Sequence, residues 1–266
     1  MQFNSWMKKE DWSQEICAMH QVESKLNIAQ ILHESFTEKG KELEKLSLEE
    51  LTQKQMLRVS IACQMLSIAF ELSEDIAATC FSYAKAIKNN TKDIAEYLRD
   101  FGIPNKTDSG SPKTFYESAS KDIAFAADMI GVDPIANLPE TIFAFNFFRN
   151  IKNFRQQYDD WYQGFKHGQR TMAIHVYPAN ADPTKENATF LLYHIPQSIQ
   201  EIKGQIFVEA DFVDVLKDEP NFFKIIQQIV ETWKQIKNHQ YSRVFPPPKQ
   251  PETEKSSNAQ PINPVA

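Results

Sequence analysis

Lys166, His167 and Arg170 fall within one short run, Lys166-His167-Gly168-Gln169-Arg170, at the end of a stretch crowded with aromatic rings. If a rigid helix ends there, it presents an ammonium, an imidazole and a guanidinium together to an anion or a nucleotide phosphate. The same residues also make a helix stop. Lysine and histidine in a last turn oppose the helix dipole favourably, and a glycine immediately afterwards closes the turn. His167 and Arg170 are the candidate catalytic residues of this run. Lys166 and Arg155 are the candidate binding residues. Arg149, Lys152 and Arg155 lie three apart and drift around a helix instead of lining one stripe, and Arg155 can pair with Asp159 one turn on, on a solvated face.

The pattern Tyr158…Tyr162-x-x-Phe165-Lys166-His167-Gly168, closing a long helix, resembles segments of uncharacterised prokaryotic helical proteins, some of them similar to the HEPN superfamily. The resemblance covers about a dozen residues. It implies a helical fold and, by analogy, RNA binding or metal-independent RNA cleavage. In HEPN ribonucleases an arginine, a following polar residue and a histidine after four to six intervening residues would bring a cation and a proton-transfer group to an RNA 2′-hydroxyl and phosphate in a dimer. Arg149-Asn150 opens such a motif without the histidine. Arg170-Thr171-Met172-Ala173-Ile174-His175 meets the spacing, with Thr171 departing from the usual polar residue and the segment reading as a strand, so the resemblance implies His175 as a further candidate catalytic residue beside His167 and Arg170.

Other chemistry finds little purchase. Glu71, Glu74 and Asp75 share a helical stretch and His33 lies on a neighbouring seam, but the Glu-x-x-His pair of a di-metal bundle is missing at every histidine. His33 reads as a hydrogen-bonded core or interface residue. Nucleophile elbows, Walker loops, dinucleotide-binding glycines and His-Glu-x-x-His are also missing, and no cofactor or metal is expected. Cys17, Cys63 and Cys80 are widely spaced within apolar helical pattern and read as small buried hydrophobes.

The elements that must position these residues are mostly helices. Over 12–39, Met19, Val22, Leu26, Ala29, His33 and Phe36 form one seam of an amphipathic helix. Ser47 and Glu50 form a capping box at the start of a helix reaching about 88. Thr91 caps a short helix ending near Phe101 and Gly102. Ser111-Pro112 starts a further helix that Gly131 stops. The aromatic run at 139–167 covers most of a helix circumference, which predicts the central helix of a bundle. Beyond Gly168, runs at 171–177, 188–195 and 205–213 read as a small antiparallel sheet. A last helix follows, with Pro220 in its first turn and a seam of Phe222, Ile226, Ile229, Trp233 and Ile236.

The expected fold is therefore mainly α: a helical bundle over 1–168, a small antiparallel β insertion with the C-terminal helix over 169–244, and a disordered proline-rich tail over 245–266. Only 7 glycines in 266 residues agree with long helices, and a net charge of −6 gives no general attraction to nucleic acid or anionic lipid. The proline run at 246–251 can form polyproline II and dock on an aromatic groove, or it is a free terminus. With no apolar leader at its start and no long uninterrupted apolar run, the chain is expected in the cytoplasm, without a membrane partner. Its expected role is that of a non-catalytic scaffold or interaction protein, associating with itself or with a protein partner; RNA is the alternative partner.

Overall fold

A computed structural model describes residues 22–41, 43–103, 110–166 and 215–245, and the backbone alone at 44, 48, 164–166, 242 and five stretches between 171 and 213. Seven helices build the described bundle: α1 (Val22–Lys39), α2 (Leu48–Lys88), α3 (Ile94–Asp100), α4 (Pro112–Ala119), α5 (Ile123–Ile130), α6 (Leu138–Lys166) and α7 (Val215–Ile236). After α7 come a π-helical turn, Lys237–Tyr241, and a last short turn, Ser242–Val244. Residues 12–21, including Met19 and Cys17, and the tail beyond Phe245 lie outside the described residues.

Local signals place most helix ends. Ser47 accepts the Glu50 N–H, and the Glu50 carboxylate accepts the Ser47 N–H at 3.0 Å, the capping box expected for α2. Ser111 accepts the Thr114 N–H at 3.2 Å and donates its own N–H to the Thr114 hydroxyl at 3.1 Å, with Pro112 at the first helical position. Ser111→Ala is expected to lower the unfolding free energy by about 1 kcal/mol, read from urea denaturation, because it leaves that donor without its cap.

Three expectations are corrected. The stretch from 112 to 130 is two helices, because the Asp122 carboxylate accepts the N–H groups of Ala124 and Phe125 at 2.9 and 3.1 Å and starts a new helix. Thr91 accepts the Asp93 N–H at 3.1 Å one turn ahead of α3, whose N-cap is Asp93. The last helix begins five residues before Pro220, which therefore sits inside α7.

The central helix is also not the aromatic one. α2, 41 residues long, packs against α1, α3, α4, α5, α6 and α7, and buries side chains around its circumference. It can do so because Ala62, Ala69, Ala77 and Ala86 carry no bulk, so neighbouring helices approach closely. Its buried Ser73 and Ser82 hydroxyls donate to the Phe70 and Ala78 carbonyls of their own helix, each at 2.7 Å. α6 supplies rings to α2 on one side: Tyr162 stacks on Phe70 at 4.3 Å and Phe154 lies 5.1 Å from it. By length and composition α2 could cross a membrane, with a mean hydropathy of 1.3 in its most apolar window, 56% of which is buried inside the bundle.

Cys63 and Cys80 are buried, as expected; burial pushes the Cys63 thiol up to about 12 and that of Cys80 further still. Among residues whose side chains are described there is no strand. From 167 to 214 the described backbone comprises β1 (Thr171–Val176), β2 (Thr189–His194), β3 (Ile199–Ile202), β4 (Gln205–Val208) and β5 (Phe212–Val213). β1 pairs antiparallel with β2, and β2 with β5, while β3 and β4 form a separate hairpin.

Candidate functional site

Lys166 is the last residue of α6, and His167 and Arg170 lie outside the described residues. His175 falls on β1, with Phe190 opposite it in the antiparallel register; nothing of its side chain is described. Convergence of these four residues is thus not part of the described structure.

Arg155 is described, and its surroundings differ from the solvated pair expected. Its guanidinium is mostly buried and donates to the Ser73 hydroxyl at 2.6 Å. It lies 3.5 Å from Glu74, 3.6 Å from Asp159 and 4.9 Å above the Phe70 ring. Tyr116 from α4 donates to the Ser73 carbonyl at 2.7 Å beside it. Burial drives the Tyr116 phenol well above its ordinary value, so it stays a neutral donor. Arg155 therefore fastens α6 to α2, and two carboxylates already neutralise it. The adjoining cleft, about 370 Å³, mixes Lys113, Lys152 and Arg155 with Glu117, Asp159 and Asp160, so it offers no net field to an anion. Glu71 and Asp75, considered with His33 as metal ligands, instead meet Lys25 at 3.3 and 2.9 Å.

The most unusual ionisable group was missed by the sequence reading. Glu219 on α7 is fully buried, and both its oxygens face His33 Nδ1 on α1, at 2.9 and 3.2 Å. The Nδ1–H donates, since a carboxylate can only accept. The imidazole stacks on Phe223 of α7 at 4.3 Å, with the planes 8° apart. Arg58 on α2 adds its positive charge to the Glu219 carboxylate while its guanidinium lies 4.2 Å over the Phe36 ring and donates to Gln55 at 2.9 Å. Burial raises the Glu219 pKa, and the hydrogen bond from His33 together with the charges of His33 and Arg58 oppose the rise. One carboxylate thus joins three helices. A signal for it existed: Glu219 sits three residues before Phe222 on the apolar seam of α7. With Pro220 placed in the first turn, the expected seam began at Phe222 and did not include Glu219.

A carboxylate orienting a histidine is half of a general-base site. The cleft beside His33, about 350 Å³, is lined by Glu34, Thr37, Glu38 and Lys41, and its Lys41 donates to Glu38 at 2.6 Å. The described hydrogen bonds join no hydroxyl or thiol to His33, so the cluster has the form of a helix-joining pin, in line with the sequence reading of His33 as a hydrogen-bonded core or interface residue. Among the described residues no group of three His, Cys, Asp or Glu side chains could hold a metal ion.

The surface carries a group of exposed apolar side chains. At the turn from α5 into α6, Ile135, Leu138, Ile142 and Phe143 are exposed at 92, 54, 44 and 42%. The Asp133 carboxylate accepts the N–H groups of Ile135 and Ala136 at 2.8 and 3.0 Å, which fixes the turn displaying Ile135 and holds that carboxyl below its usual range. Leu138 and Ile142, four residues apart, lie one above the other on the first turns of α6, and Ile135 stands in the turn just before it. Residues 131–148 contain two charged side chains, Asp133 and Glu140.

No family model, no curated protein and no solved structure matches this chain.

Proposed function

We propose that this protein is a cytoplasmic, non-catalytic interaction protein whose helical bundle presents the apolar stripe at the start of α6 to a second copy of itself. The exposure of Ile135, Leu138, Ile142 and Phe143 within nine residues carries the reading. Their low charge matters, because two copies of a chain with net charge −6 approach most easily where little charge is concentrated. The four side chains expose on the order of 400 Å², against the ~800 Å² per partner of a stable interface, so the association is weak and reversible. The buried polar groups support the same reading. Arg155, Tyr116 and the Glu219 cluster spend their hydrogen bonds on helix-to-helix contacts. The antiparallel sheet expected before the last helix is part of this proposal, as a small unit beside the bundle.

The test is capture of the free chain by an immobilised copy. Ile135→Glu combined with Ile142→Glu, at exposed positions, is expected to leave helical circular dichroism unchanged and abolish capture; undiminished capture by that variant contradicts the reading.

The alternative is HEPN-like RNA binding or cleavage through Lys166, His167, Arg170 and His175, with the resemblance at 158–168 as its support. RNA cleavage lost in both His167→Ala and His175→Ala would favour it over a non-catalytic role.

A further inference from the structure

We propose that the proline run at 246–251 of the same chain covers this apolar stripe, competing with the second copy; the inference rests on the stripe being an interaction face.

The point where the described chain ends argues for this occupant. Gln240, in the π-helical turn, donates to the Asp128 and Met129 carbonyls at 2.8 and 3.1 Å, and its side chain lies against Gly131. Val244 is buried, and Phe245 donates its N–H to the Tyr241 carbonyl at 2.8 Å, so the chain leaves the bundle from an anchored turn. That anchor holds the C-terminal end of α5. Ile135 begins the stripe four residues after Gly131, at most ~14 Å of chain away.

Pro246-Pro247-Pro248-Lys249-Gln250-Pro251 lies outside the described residues, and its composition is that of a polyproline II segment. Six residues in that form reach roughly 19 Å, at ~3.1 Å each. Such segments bind aromatic and aliphatic surfaces with little ordering cost, because proline is already restricted. Phe143, stacked in parallel on Phe147 at 6.5 Å, supplies the aromatic face, and Ile135, Leu138 and Ile142 are the exposed aliphatic side chains of the same stretch. Short tethering places the run at an effective concentration in the millimolar range, enough for weak intrinsic affinity to matter.

The experiment uses the full chain with benzoylphenylalanine in place of Phe143, irradiated at a dilution where it is monomeric. Adducts to residues 246–251 of the same chain are expected; adducts confined to the bundle, or found only between chains, overturn the cover. In parallel, Pro246→Ser, Pro247→Ser and Pro248→Ser are combined in the full chain, and self-association is expected to tighten by about three- to tenfold as the competitor is removed. Unchanged association overturns the cover while leaving the interaction face intact, provided that Ile135→Glu with Ile142→Glu still abolishes association. If association survives those two glutamates, the interaction face itself is wrong, and the cover fails with it.

Discussion

Gly131→Ala is expected to destabilise the bundle by about 3 kcal/mol, from two separate costs. Gly131 has φ +79°, the left-handed conformation that closes α5 and that a Cβ disfavours by roughly 1–2 kcal/mol. A Cβ there would also stand 2.7 Å from Gln240 Cδ and 2.9 Å from its Oε1, so the side chain must move. Moving it breaks the two bonds by which Gln240 Nε2 satisfies the Asp128 and Met129 carbonyls, each contributing about 1 kcal/mol. Urea unfolding of Gly131→Ala, Gln240→Ala and the double variant separates the two costs. The double variant is expected to be more stable than the sum of the single losses predicts, because alanine at 240 removes the obstacle. Simple additivity would mean that the two residues do not oppose each other.

The second large effect belongs to Glu219. His33→Ala is expected to cost about 3 kcal/mol, since it leaves a buried carboxylate without its closest donor and removes the ring stacked on Phe223. Glu219→Gln should cost little or even stabilise, because the amide oxygen still accepts the Nδ1–H and no charge remains to be buried. The pH dependence follows from the raised Glu219 pKa. A carboxyl whose folded pKa lies above its unfolded value binds its proton more tightly in the folded state. Its contribution is therefore fully present below the unfolded value and is lost as pH rises through the folded one. This is opposite to an exposed, paired carboxylate. Unfolding free energies at about pH 4 and about pH 8 should show wild type losing more stability on going up than Glu219→Gln does. Equal losses would assign the pH dependence elsewhere.

These two sites show what a single sequence reveals and what it hides. The Ser47 and Ser111 caps and the Gly131 stop were legible because each closes its hydrogen bonds within a few residues. The seam of α7 was legible because Phe222, Ile226, Ile229, Trp233 and Ile236 share one period, and all are buried. The centrality of α2 was not, since alanine and serine signal close packing only once a neighbour is known. The Arg155–Asp159 pair, one turn apart, was legible and forms at 3.6 Å; the burial of Arg155 against Ser73 and Glu74 was not, because those partners lie far away in sequence. Glu219 meets His33 across 186 positions, and no local pattern announces that pair. Of the apolar stripe, the aromatic richness was visible, but a ring on a helix does not say whether it faces core or solvent.

Sedimentation equilibrium over a wide concentration range tests the central claim most directly. A weight-average mass rising from that of one 30.7 kDa chain toward twice that value, with the rise absent in the Ile135→Glu, Ile142→Glu variant, is the predicted result. A wild type that stays at the mass of one chain throughout, with the three prolines at 246–248 replaced as well as with them present, would contradict it.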